Sequence, residues 1–139
     1  MMISDAVRDF LQENPVGVLG TLPADGRLRQ SVVYYAIDGD RLLVSTEAKR
    51  AKARDVARNN RASLCVVGTS RPYPSATLEG PARVRTTAIG ADTGAVMARI
   101  TGMETAEPPT DEQLTAAGRV IIEITVERVY GISYIKTET

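Results

Sequence analysis

The densest run of chemically useful side chains lies between Ser45 and Arg61. Lys49, Arg50, Lys52, Arg54, Arg58 and Arg61 stand there against only Glu47 and Asp55, in a chain whose formal net charge is zero. A hydroxyl pair, Ser45 and Thr46, comes just before, where the pattern predicts a strand passing into a helix. Hydroxyls, first-turn amides and cations at one such junction can converge on a single anion, and phosphate suits that donor set. At about 100° per residue, Lys52 projects close to Val56 and Ala48, with Lys49 a little further round. Arg50, Arg54 and Arg58 project onto the far side, where a solvated basic face accounts for Arg54 and Arg58. A cation beside an apolar stripe is partly desolvated unless an anion meets it, which makes Lys52 the foremost phosphate candidate. There is no Gly-x-x-x-x-Gly-Lys-Ser/Thr loop and no Gly-x-Gly-x-x-Gly turn. Nucleotide hydrolysis and a dinucleotide-binding turn therefore lack support.

Other chemistry is narrowed by what is missing. The chain has no histidine and one cysteine, Cys65, set in an apolar run that reads as core. Zinc sites of His and Cys, Ser-His-Asp or Cys-His nucleophile systems and thiol redox pairs lack their parts. Catalysis would then draw on a bound cofactor. Zero net charge argues against a nucleic-acid partner, since such domains carry an overall basic excess as well as a basic stripe. The longest apolar run, Val32 to Ile37, is far short of a membrane span, and the start of the chain lacks the basic-then-apolar layout of a secretory signal. The expectation is a cytoplasmic protein without membrane contact. At 139 residues the chain is one domain, too short for separate cofactor and substrate domains.

Residues 3–13 carry Ile3, Ala6, Val7, Phe10 and Leu11 at helical spacing, with Ser4 as cap and Pro15 beyond the end. Three strands in a meander are predicted over Val16 to Leu22, Arg27 to Ile37 and Arg41 to Thr46, with turns at Pro23 to Gly26 and Asp38 to Asp40. In the second strand both faces begin polar and finish apolar, as if one end were core and the other bordered a wet or ligand-filled crevice. Further strands are predicted over Ala62 to Thr69, over residues 76–85, with a bulge or edge position at Gly80-Pro81, and from Arg119 to Val126, continuing toward Gly131. Residues 88–101 read as a helix striped by Ile89, Val96, Met97 and Ile100. Loop and a short helix after Thr110 or Asp111 are expected between Glu104 and Gly118. Six strands with few helices favour a mainly-β antiparallel barrel, because closure removes exposed edges.

The order of motifs resembles the pyridoxamine-phosphate-oxidase-like split β-barrel flavoproteins, and especially their small branch that uses the deazaflavin coenzyme F420. The pieces are Val-Gly-Val-Leu-Gly-Thr-Leu (16–22), Asp-Gly-Arg (25–27), Asp-Arg-Leu-Leu-Val-Ser-Thr (40–46), Arg-Ala-Lys-Ala-Arg (50–54), Arg-Ala-Ser-Leu (61–64), Leu-Glu-Gly-Pro-Ala-Arg-Val (78–84) and Val-Tyr-Gly (129–131). The resemblance implies a six-stranded split barrel, a homodimer with cofactor sites at the subunit interface, and a small-molecule substrate. It carries the cofactor phosphate onto Arg50 and Lys52, with Ser45 and Thr46 beside them and Lys49 as a further candidate. It maps the ring border onto Arg29, Gln30, Ser31 and Val32, and an aromatic neighbour of the ring onto Tyr73. The activity implied is hydride transfer from reduced F420 to an electron-poor conjugated molecule. FMN in the same fold, or a non-catalytic protein that only binds F420 or a flavin, are the alternatives. The proton donor stays open among Tyr34, Tyr35, Tyr73 and water.

Overall fold

The computed structural model describes residues 2–104 and 107–136. The expected loop at Thr105 and Ala106 and the polar tail beyond Lys136 lie outside the described residues. The strands are β1 (Val16–Thr21), β2 (Arg29–Tyr34), β3 (Ala36–Asp38), β4 (Arg41–Glu47), β5 (Arg61–Val67), β6 (Ser75–Arg85), β7 (Arg119–Thr125) and β8 (Arg128–Ser133). The helices are α1 (Asp5–Glu13), α2 (Ala51–Asn59), α3 (Gly90–Thr101) and α4 (Asp111–Ala116). The six expected strand runs are present, and two of them break, which gives eight segments. Neighbouring strands are antiparallel, in the order β2-β1-β5-β6-β7-β4-β3, with β8 also on β6.

Both breaks curl the sheet. The run from Arg29 to Asp38 pairs with β1 through β2 and with β4 through β3, and it changes partner at Tyr35. Tyr35 is fully buried and donates its hydroxyl to the carbonyls at the end of α1, Leu11 (3.1 Å) and Asn14. The two ends of the sheet path are thus halves of one strand run, which nearly closes a barrel while leaving β2 and β4 without a shared ladder. That gap is the split. On the opposite side, β6 pairs with β8 through Ser75–Glu79 and with β7 through Ala82–Arg85, so Gly80 and Pro81 fall between the two partners. A Cβ on Gly80 would lie 1.9 Å from the Thr125 carbonyl oxygen, so only glycine lets the β7–β8 link cross here.

Two apolar layers follow. Inside the barrel, Leu19, Val33, Val44, Leu64, Leu78 and Ile122 pack with Val7, Phe10 and Leu11 of α1. Helix α1 starts where Ser4 Oγ accepts from the Val7 amide (3.3 Å). Outside, Leu43 of β4 and Ile121 of β7 meet Ile89, Val96 and Leu114 from the α3–α4 side. These helices are locked together at their starts, because the Asp111 carboxylate accepts from the amides of Ala88 (2.6 Å), Ile89 (2.9 Å) and Gly90 (3.2 Å). Those amides hold its pKa below the usual carboxylate range. No described helix is long and apolar enough to cross a membrane.

Candidate functional site

The helix-bearing flank of the barrel holds a cavity of about 670 Å³, a size usual for small-molecule sites. Its walls come from five places: Val32, Val33 and Tyr34 of β2; Ser45, Thr46 and Glu47 of β4; Arg50 and Lys52 at the start of α2; Thr93, Val96, Met97 and Ile100 of α3; and Pro109, Gln113, Leu114 and Arg119 from α4 and its flanks. Strand alternation explains part of this set. Val44 faces the barrel interior while Leu43 faces the helices, so Ser45 and Glu47 share the outer face with Leu43.

Of the residues expected to touch a cofactor, Val32, Ser45, Thr46, Arg50 and Lys52 line this one cavity. Lys52 is half-buried, and among the described residues no carboxylate pairs with it. The hydroxyl pair lies inside β4 rather than at a strand-to-helix passage, because α2 begins only at Ala51. Arg50 is not on the outer face of a helix, as projection places it. It is the N-cap residue, with extended backbone (φ −71°, ψ 148°), so helical projection does not apply to it. Its side chain reaches Glu47 at 3.4 Å and offers no cap to the helix. The first turn of α2 holds no acidic residue either, so its amides meet neither a side-chain cap nor a first-turn carboxylate.

The other candidates lie elsewhere. Lys49 is exposed and pairs with Glu47 at 3.4 Å. Glu47 carries a lowered pKa, caused first by Lys49 and then by Arg50. Arg29 turns under the barrel end, where its Nε donates to Asp55 at 2.7 Å. Asp55 is a buried carboxylate that also accepts from the Thr21 hydroxyl (2.9 Å). Arg29 therefore ties β2 to α2. Gln30 is exposed, and Ser31 is half-buried with its hydroxyl enclosed and unpartnered. Tyr73 sits in the β5–β6 loop at φ 60°, half exposed, away from the cavity lining.

Much of the wall carries no functional signal in the sequence. The Met97 and Ile100 stripe of α3 is visible as periodicity, but nothing in it announces a ligand. Gln113 belongs to a capping box in which the Thr110 amide donates to its side-chain oxygen (3.0 Å). Arg119 opens β7 and donates from Nη2 to Ser45 Oγ at 2.8 Å. The cavity lining thus combines cations and hydroxyls (Arg50, Lys52, Arg119, Ser45, Thr46) with apolar side chains (Val32, Val96, Met97, Ile100, Leu114). No group of three or more His, Cys, Asp or Glu suited to a metal occurs among the described residues.

The fold defines a split β-barrel protein, with a cavity on its flank that is lined in part by cationic side chains. The chain belongs to the pyridoxamine 5'-phosphate oxidase family, whose model matches residues 3–133. Solved structures similar to it include a conserved hypothetical protein from Mycobacterium tuberculosis, 22% identical with a TM-score of 0.75 over 98% of this chain and 92% of that one. An F420 reductase is 27% identical, with a TM-score of 0.69 over 88% and 94%. The heme storage protein of Vibrio cholerae is 16% identical, with a TM-score of 0.67 over 94% of each chain.

Proposed function

We propose that this protein is a reductase that binds coenzyme F420 in the flank cavity and serves the reduction of an electron-poor conjugated small molecule. The observation that carries the reading is the cavity's polarity. Lys52, a half-buried cation with no ion-pair partner among the described residues, stands in the same cavity as a wall of Val96, Met97, Ile100 and Leu114. Likeness to an F420 reductase adds support. When bound, the reduced deazaflavin supplies a hydride. The chain's own part is to hold the phosphate with Lys52, Arg50, Ser45, Thr46 and the α2 amides, and to cover one ring face with the apolar wall.

A second copy of the chain completes the site in this proposal. Val32, Tyr34, Met97 and Ile100 all line the cavity and are all exposed, so the cavity mouth is rimmed by apolar side chains that a partner subunit would cover. The activity is assigned to the cytoplasm, with no nucleic-acid or membrane partner.

Titration of the purified protein with F420, FMN and haem tests the reading. Micromolar or tighter F420 binding, with weaker FMN binding, is the expected result. Preferential retention of FMN would replace it with an FMN-dependent oxidoreductase, and F420 binding without turnover of enones and quinones would leave a cofactor-binding protein. Haem-binding relatives make haem a rival, but the absence of histidine removes the usual proximal ligand.

A further inference from the structure

Arginines on the strands of this protein meet carboxylates. Arg29 reaches Asp55 (2.7 Å), Arg41 and Arg83 reach Glu123 (2.8 Å each), Arg61 reaches Glu127 (3.7 Å), Arg85 reaches Asp92 (2.6 Å) and Arg128 reaches Glu79 (3.3 Å). Arg119 is the exception among the described residues. It is half-buried, it lines the flank cavity, and the residue directly across the ladder from it is an acid, Glu47. Opposed side chains on neighbouring strands are close enough to pair. Glu47 nevertheless turns to Lys49 and Arg50, and Arg119 turns to the Ser45 hydroxyl.

A clip between strands does not account for this bond. β4 and β7 already share a continuous register from Arg41↔Thr125 to Glu47↔Arg119, and the Ala48 amide extends it by donating to the Gly118 carbonyl at 2.8 Å. A guanidinium has five N–H donors, and Ser45 accepts from only Nη2. Since Ser45 Oγ is the acceptor in that bond, its own hydrogen is left to donate elsewhere. The pair is therefore a fixed set of donors that, among the described residues, forms no ion pair with a carboxylate. Charged side chains around the cavity are Glu47 against Arg50, Lys52 and Arg119, which leaves a double positive excess for an incoming ligand.

We propose that Arg119, held in place by Ser45, is an anion-binding residue of this cavity that takes the phosphate end of the bound cofactor together with Lys52. The inference rests on the reading of the cavity as a phosphate-bearing cofactor site, but not on which cofactor fills it. Two ligand pairs test it: F420 against the corresponding deazaflavin alcohol without phosphate, and FMN against riboflavin. Arg119→Gln should weaken the phosphorylated member of whichever pair binds by at least tenfold and leave the phosphate-free member within twofold. Arg119→Lys should recover part of the loss, and Ser45→Ala should cost less than Arg119→Gln.

Equal losses for both members of a pair would make Arg119 a merely structural residue and overturn the proposal. Unchanged affinity for the phosphorylated member would overturn it too. A wild-type preference for FMN would remove the F420 reading while the FMN and riboflavin pair still decides the role of Arg119. Failure of the wild type to bind either pair would remove both.

Discussion

Lys52 and Tyr34 are the two side chains on which the proposed chemistry turns, and each is singled out by its surroundings. Lys52 is half-buried in a cavity wall and, among the described residues, forms no ion pair with a carboxylate, so a bound anion would supply its counter-charge. Lys52→Ala should weaken F420 binding at least tenfold, about 1.4 kcal/mol, with little change in melting temperature. Calorimetric titration checks this, and an unaltered Kd would dissolve the phosphate assignment. Among the tyrosines, Tyr35 is committed to the α1 carbonyls, and burial pushes its phenol well above the usual range despite the opposing Arg99 guanidinium. Tyr73 lies away from the cavity lining, whereas Tyr34 is part of it. A positioned proton donor contributes typically 10²–10⁴-fold. Tyr34→Phe should therefore lower kcat with an enone or quinone acceptor by roughly 100-fold while cofactor affinity stays within twofold. An unchanged kcat would hand the proton to water.

At the scale of elements, the strand pattern is readable because alternation and turn residues agree: Ala76, Leu78, Gly80 and Ala82 of β6 are buried as their spacing requires. Boundaries around α2 are harder to read. No Ser, Thr, Asp or Asn announces the start at Ala51, and a charged run projects plausibly from any starting residue, which is why Arg50 projects onto the wrong face. Glu123 is another feature hidden from the sequence. A lone acid in an apolar strand, it is buried and collects Arg83 and Arg41 (2.8 Å each) and Arg85 (3.1 Å), tying β7 to β4 and β6. Burial acts to raise its pKa, but the three guanidiniums outweigh burial and hold it below the usual value. A carboxylate with a depressed folded pKa adds stability that is complete above the unfolded value, about 4.3, and is lost as pH falls through the folded value. Glu123→Gln should thus cost about 2 kcal/mol at pH 7, with the gap to wild type narrowing below about pH 4. Urea unfolding at pH 7 and pH 3 measures both, and a pH-independent gap would mean that the arginines do not act through charge.

At the scale of the whole molecule, the cavity unites Val32, Ser45, Lys52, Met97 and Arg119, which no local spacing brings together. It exists because the second strand run changes partner at Tyr35 and leaves β2 splayed from β4 beside α3. The polar-to-apolar gradient of that run points to a crevice at its polar start, but the cavity is lined by its later residues Val32, Val33 and Tyr34, because Arg29 is drawn to Asp55. The same splay leaves β2 as a sheet edge, paired only with β1, and two apolar side chains stand exposed along it: Val32 at 73% and, just before the strand begins, Leu28 at 86%. An edge of that kind invites pairing or aggregation unless something covers it. A second copy would bury it and close the cavity mouth in one step. Val32→Glu alone cannot separate these effects, since Val32 also lines the cavity. Leu28 is exposed immediately before that strand and does not line the cavity, so Leu28→Glu can. If a partner subunit completes the site, sedimentation should show a dimeric wild type and a monomeric Leu28→Glu variant with an unchanged circular dichroism spectrum, and F420 affinity should fall at least tenfold in the variant. A monomeric variant that keeps full affinity would confine the site to one chain, and a monomeric wild type that binds F420 tightly would remove the dimer from the proposal.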